Sequence, residues 1–320
     1  MNSELHDGKG KEIPLVSIIM ATYNRAHTIE RAIDSALKQT YKNIELIIID
    51  DGSTDDTQKI LSKYHDPRIS IHVHEKNKGV TGAKNSGLDR IKGDWFTILD
   101  SDDEIIPQAI ETMMNIPYSM DPTITAVTCN CMDTTTNGYS GKGLMQDQYL
   151  DEKTLMTLCK GEFWGITKTS LLQNDRFNEK LRGFENILWY KMNDRAKRYY
   201  IHAPLRVYHT EGDDRLMKSK YNFNKEIALY ENLVYEEIFL NKLKTYHPQQ
   251  FFFICKNGMI TMRVSNRKEL ALKYYELSKS ITRSSILDLS YKYKFFSILM
   301  KKTKVVKSLM KSKLNSLKGN

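Results

Sequence analysis

From Leu15 to about Cys129 the chain alternates short β-branched runs with amphipathic segments, and this alternation constrains the fold more than any other feature. The runs are Leu15–Met20, Ile44–Asp50, Ile69–Val73, Trp95–Leu99 and Ile124–Cys129. Each is about five or six residues long, the usual strand length. They are almost continuously apolar, which suits strands covered on both faces. Between them, Thr28–Gln39 places Ile29, Ala32, Ile33, Ala36 and Leu37 on one helical face. Thr54 is expected to cap a helix over Asp55–Lys63, and Val80–Ile91 reads as a third helix, with Gly79 before it and Gly93 after it. Strand, helix, strand, helix implies an α/β fold with a mostly parallel, Rossmann-like sheet flanked by helices. Ligands of such sheets bind beyond the carboxyl ends of the strands, so the loops there are where chemistry is expected.

Three of those loops carry unusual residues. The first strand ends in Ala21-Thr22-Tyr23-Asn24-Arg25, where an exposed aromatic can stack on a base or simply close a solvated turn. The second ends in Asp50-Asp51-Gly52-Ser53-Thr54-Asp55. Helix capping accounts for the last three residues of that stretch. It does not account for Asp50 and Asp51, since a carboxylate buried at a strand end needs a partner. The fourth strand runs directly into Asp100-Ser101-Asp102-Asp103-Glu104. Four acids this close repel one another, so a hard cation such as Mg²⁺ or Mn²⁺ is one expectation. An acidic helix start ahead of Pro107 is the other. No GxxxxGK[ST] loop occurs, and no GxGxxG follows the first strand, which counts against P-loop ATPases and Rossmann dehydrogenases.

The 320 residues, 40% hydrophobic and 27% charged, suit a packed globular protein of one large domain with an appendage. Asp133–Gln148 reads as a loop, and mainly helical segments follow at about 220–242, 248–263 and 266–281. The net charge of +9 is localised. Residues 291–320 hold nine lysines and no acid; removing these nine from the 48 basic residues leaves 39, equal to the 39 acids. A neutral body with a basic end argues against a nucleic-acid surface. The four cysteines, Cys129, Cys131, Cys159 and Cys255, form no CxxC pair and suggest no chemistry. With no signal peptide and no apolar run long enough to span a bilayer, a cytoplasmic location is expected.

Together the motifs resemble glycosyltransferase family 2. The matching segments are Val16–Asn24, Ala36–Tyr41, Glu45–Asp55, Asn77–Gly79, Ala83–Gly87 and Leu99–Asp103, all in order. The resemblance implies a GT-A fold with a helical C-terminal extension. It also implies inverting transfer of a sugar from a nucleotide-diphosphate donor, UDP being the usual nucleotide, to a hydroxyl of a glycan or lipid-linked acceptor, as in cell-surface polysaccharide synthesis. Residues 14–215 would form the catalytic domain. Within it, 14–130 would bind donor and metal, and 131–215 would bind acceptor and supply the base. Residues 1–13 would be a flexible N-terminus, 216–290 a helical region and 291–320 a basic amphipathic tail.

Residue roles follow from the same resemblance. Thr22, Tyr23, Asn24, Arg25 and Asp51 would hold the nucleotide, with Tyr23 stacked on the base. Lys84 stands where the family usually has Arg. Asp100 and Ser101 would contact the donor, and Asp102 of the DXD motif would bind Mn²⁺ or Mg²⁺. Gly183-Phe184-Glu185-Asn186 sits where the family carries Glu-Asp; with Asn186 in the second place, Glu185 is expected to be the base and Asn186 to lie near the acceptor. His209 would approach the metal and Arg215 the diphosphate. Trp164, between Gly161 and Gly165, is either a sugar-stacking floor or a core tryptophan. The tail either docks on an anionic membrane on its inner face, useful for a lipid-linked acceptor, or packs on protein. A nucleotidyltransferase and a non-catalytic carbohydrate-binding relative are the rival readings.

Overall fold

The computed structural model describes residues 13–181, 183–210, 222–280, 285–292, 297–298 and 301. Arg215 and most of the basic tail lie outside them. The chain divides into two compact units: Met1–Glu179 with Phe184–Met217, and Lys180–Gly183 with Lys218–Asn320.

The first unit is built on a ten-stranded sheet. Its strands are β1 (Val16–Thr22), β2 (Ile44–Asp50), β3 (Ile69–Val73), β4 (Trp95–Ile98), β5 (Glu104–Ile105), β6 (Ala126–Asp133), β7 (Gly138–Tyr139), β8 (Gln148–Leu150), β9 (Phe163–Lys168) and β10 (Arg198–Tyr208). The main order is β3-β2-β1-β4-β9-β6-β10-β5, with β7 on β6 and β8 on β10. β1 to β4 form an all-parallel block. β9 is antiparallel to both β4 and β6, and β10 runs parallel to β6. The carboxyl ends of β1, β2, β3, β4, β6 and β10 therefore share one edge, as a site in a doubly wound sheet requires.

Helices α1 (Ile29–Leu37), α2 (Thr57–Leu61), α3 (Gly79–Leu88), α4 (Ala109–Asn115), α5 (Glu152–Thr157) and α6 (Asn186–Asn193) belong to this unit. On α1, Ile29, Ala32, Ile33 and Ala36 are buried, the face that the spacing predicts. The two faces of the sheet pack separately: Ile18 and Met20 share a core with Ile29 and Ile33 of α1, whereas Ile19 packs with Phe96, Phe177, Leu188 and Met192. This is the period-two alternation of a strand buried on both faces. α3 lies against β1 so closely that a Cβ on Gly87 would sit 2.4 Å from Cγ2 of Ile19. Ile19 is β-branched and stiff in a strand, so it cannot swing aside. Gly87→Ala is expected to cost about 1–3 kcal/mol, read as a lowered denaturation midpoint at unchanged m-value.

Three local expectations need correction. Thr54 does not cap α2: its amide donates to Asn24 Oδ1, while Asp55 accepts from the Thr57 amide at 3.0 Å. The helix begins later than expected, at Thr57, with Asp56 at its N-cap and no side-chain cap bond, and the Asp55 carboxylate holds the turn just before it. The expected loop 133–148 contains β7, too short to show a period. The expected helix 220–242 is broken into α7 (Phe223–Leu233) and α8 (Glu237–Tyr246), with no glycine or proline at the break to announce it.

The second unit continues with α9 (Pro248–Val264), α10 (Lys268–Lys279) and α11 (Ser285–Lys292). The described part of the basic tail packs within this unit. Tyr291 stacks on Tyr275 with ring centroids 4.3 Å apart, and the buried Lys301 donates to Thr261 Oγ1 and pairs with Glu226. Among the described residues no helix is long and apolar enough to cross a membrane.

Candidate active site

The carboxyl ends of β1 and β2 meet in a knot of side-chain to backbone bonds. Gly52 takes φ +77, letting the chain turn sharply after Asp51. Asp50 is fully buried; its Oδ1 accepts the Ser53 amide at 3.0 Å, and its Oδ2 has no partner among the described residues. The buried Asp51 faces α3. Its carboxylate accepts the amides of Lys78 and Gly79 at 2.9 and 2.8 Å, and His74 Nδ1 lies 2.7 Å away. Asp51 thus fixes the start of α3 to the end of β2, the position favoured by the helix dipole.

The β1 loop is tied to the same place. The Asn24 amide donates to Ser53 Oγ and the Arg25 amide to Thr57 Oγ1, each at 2.9 Å. Thr22 is buried, whereas the Tyr23 ring is left 44% exposed at the mouth of the sheet. An aromatic held in solvent by a braced loop is available for stacking.

The acidic loop after β4 meets its counter-charges here. Lys84, in the second turn of α3, places Nζ 2.9 Å from Asp100 Oδ1. Arg206, on β10, places Nη2 2.9 Å from Asp100 Oδ2, donates from Nε to Asp103 Oδ2 at 2.9 Å, and lies 3.3 Å from Glu162 Oε1 through Nη1. Burial works against a charged Asp100, but Lys84 and Arg206 outweigh it and hold its carboxyl well below the usual range. Burial pushes Asp103 and Glu162 up, opposed in each by Arg206. For Arg206 burial acts against the charge, and the surrounding carboxylates more than restore it.

Arg206 is the residue that the motifs missed. It lies between Leu205 and Val207 near the end of β10, and a charge in an apolar stretch of strand must be paired once buried; that was the available signal. Arg206→Leu leaves Asp103, 1% exposed at its side chain, facing no cation. We expect a loss of about 3–5 kcal/mol, measured by denaturant unfolding.

Asp102 differs from its neighbours. Its side chain is 41% exposed, and its contact with Arg25 Nη2 is a long 3.6 Å. Ser101 beside it is buried. His209 is engaged with the same loop: its amide donates to Asp103 Oδ1 and its Nε2 lies 2.8 Å from Glu104 Oε1. Among the described residues no three acids, histidines or cysteines converge as a ready-made metal cage. Mg²⁺ seldom uses one; it takes one or two carboxylates and completes its shell with substrate phosphate and water. An outward Asp102 beside a neutralised Asp100 fits that donor set.

Glu185 precedes α6 and Asn186 is its first residue, both partly buried. Glu185 lies close enough to favour the charged form of Lys84, with Asp100 the stronger influence. Trp164 is buried, its indole N–H donating to Ile98 O at 2.9 Å, and one edge lines a cleft of about 260 Å³ with Lys84, Asp100, Trp189 and Arg206. It is a core tryptophan that also forms part of the wall.

The sequence and the fold both have known counterparts. The family model for glycosyl transferase family 2 matches residues 17–180. The chain is 37% identical over 204 residues, 61% of its length, to the GalNAc(5)-diNAcBac-PP-undecaprenol β-1,3-glucosyltransferase of Campylobacter jejuni. It is 48% identical over 101 residues, 32% of its length, to the UDP-Glc:α-D-GlcNAc-diphosphoundecaprenol β-1,3-glucosyltransferase WfaP of Escherichia coli. These matches span 65% and 40% of the two relatives, less than two thirds of each. Among solved structures, S. aureus TarS in complex with UDP-GlcNAc superposes with a TM-score of 0.57 at 18% identity, over 83% of this chain and 91% of that one. With a mixed sheet bearing an acidic loop at the carboxyl edge of its parallel strands and a family match over half its length, the chain belongs to glycosyl transferase family 2 and has the GT-A fold.

Proposed function

We propose that this chain transfers a hexose from a UDP-sugar to a hydroxyl of a glycan carried on a lipid diphosphate, with inversion at the anomeric carbon. The observation that carries this reading is the single charge cluster at the carboxyl edge. There Asp100 is neutralised by Lys84 and Arg206, Asp102 is left outward, and Glu185 is near Lys84. The names of the two glucosyltransferase relatives, both acting on undecaprenyl diphosphate glycans, support the acceptor class.

In this reading Tyr23 stacks on the uracil, and the braced Thr22–Arg25 loop holds the nucleotide. Asp51 keeps the start of α3 in place, and the base would reach its carboxylate only by displacing part of that bonding. Lys84 and Arg25 bring positive charge to the diphosphate. Asp102 would hold Mn²⁺ or Mg²⁺, with His209 bonded to the same loop; such an ion offsets charge on the departing diphosphate. Glu185 takes the acceptor hydroxyl proton as the oxygen attacks. Trp164 and Asn186 line the acceptor side. Membrane docking by the remainder of the basic tail would place the enzyme on the inner face, where a lipid-linked acceptor is found.

The test is a thermal-shift screen of nucleotide sugars with Mn²⁺. It is followed by incubation of the best donor with undecaprenyl diphosphate N-acetylglucosamine. A stabilising UDP-sugar, release of UDP and a product one hexose heavier are expected. Stabilisation by nucleoside triphosphates alone, with pyrophosphate released, would sink the proposal in favour of nucleotidyl transfer.

A further inference from the structure

The cleft beneath the acidic loop holds a cation that the transfer mechanism does not use. Three basic side chains line it: Lys84, Arg206 and Arg198. The first two are paired with carboxylates. Arg198, the first residue of β10, donates instead to two neutral oxygens, from Nη1 to Thr128 Oγ1 at 2.6 Å and from Nη2 to Asn193 Oδ1 at 2.7 Å. Its Nε is buried without a partner, and among the described residues no carboxylate lies within ion-pair distance. Burial pushes its pKa down to about 10, which leaves it charged at neutral pH. A half-buried guanidinium with its Nε sealed and no counter-ion keeps an unanswered attraction for an anion, which a ligand in the cleft can satisfy.

The cleft also has the dimensions and walls for a sugar. Its volume of about 260 Å³ falls below the roughly 300–1,000 Å³ of drug-sized sites, which suits one ring rather than several. Phe163 and Trp189 offer aromatic faces, while Glu162 and Asn193 offer hydrogen-bonding groups for hydroxyls. Arg198 and Arg206 come from different ends of β10, so the uncompensated charge lies apart from the acidic loop.

We infer that Arg198 recognises a phosphate or carboxylate carried on the acceptor sugar in this cleft, and so selects charged over neutral acceptors. The inference rests on the cleft being the acceptor side of the proposed transfer site. Arg198 is a specificity residue here, with no part in the displacement itself.

Calorimetric titration of the full chain, saturated with UDP and Mn²⁺, tests it. The probes are N-acetylglucosamine 1-phosphate, glucuronate, methyl glucoside and inorganic phosphate. UDP should bind to every variant; loss of UDP binding in the unaltered protein would undercut the transferase reading instead. A charged sugar should bind at least about tenfold tighter than methyl glucoside, the size of one charge-assisted hydrogen bond. Preference for the sugar phosphate identifies phosphate as the group read, and preference for glucuronate identifies carboxylate. Arg198→Gln should erase the preference, and Arg198→Lys should keep part of it. Should Arg198→Gln fail to fold, Asn193→Asp decides the matter: it hands Arg198 an internal carboxylate and should erase the preference with the guanidinium still present. Equal binding of charged and neutral sugars overturns the inference. So does a preference that survives these variants, or inorganic phosphate binding as tightly as the sugar phosphate.

Discussion

Asp102→Ala is expected to remove divalent-metal-dependent donor binding and to lower the transfer rate by roughly 10²–10³-fold, the usual loss when one preorganised stabiliser of developing charge is taken away. The fold should survive, because the Asp102 side chain is 41% exposed and its contact with Arg25 is long. Exposed pairs of this kind contribute little to stability. Two measurements separate the effects. Thermal denaturation should match the unaltered protein within a degree or two, while titration with UDP in the presence and absence of Mn²⁺ should lose its metal-dependent component. An unaltered response to Mn²⁺ would move the metal contact elsewhere on the loop. Asp103 is a poor substitute, since Arg206 and the His209 amide already occupy its carboxylate.

Glu185→Gln has the second large expected effect. The substitution keeps shape and hydrogen-bonding reach but cannot accept a proton as the hydroxyl attacks. General-base contributions of this kind are worth about 10²–10⁴-fold, so turnover should fall by that factor while UDP affinity stays nearly constant. A kcat loss without a Kd change for donor is the signature of a group that acts in the transition state. Turnover at the original rate would leave Glu185 a helix-start acid and nothing more. The companion change Asn186→Asp restores the second acid of the family's pair; if Glu185 is the base, that change should not rescue Glu185→Gln.

The two experiments bear on different parts of the same cluster. Asp100, between Lys84 and Arg206, is held charged and cannot serve as a base. Asp103 is buried under Arg206. Glu162 is pushed toward its neutral form by burial, opposed by Arg206. In the proposed reading Asp102 serves the metal and Glu185 the proton, and Glu162, held 3.3 Å from Arg206 Nη1, is the acid to test next if Glu185→Gln keeps its turnover.

Much of this was legible in the chain. β2 and β3 fall on the expected spans, and β1, β4 and β6 begin within two residues of theirs, because a doubly covered strand must be apolar throughout and few other elements of that length are. The acidic loop was visible for a similar reason: four acids after an apolar strand have no structural purpose that one helix start would satisfy. The reversed strand β9 was not legible. Its segment, Phe163–Lys168, has nothing in its own pattern to say that it inserts antiparallel between β4 and β6.

The local sequence determined which segments become strands, which loops carry carboxylates, and which helical faces are buried, since each depends on neighbours a few residues away. Only the tertiary structure decided which carboxylates remain available. Arg206 and Lys84 come from β10 and α3, over 100 and 16 residues from Asp100, and the Coulomb attraction that neutralises Asp100 and spares Asp102 depends on distance in space, which no spacing along the chain encodes.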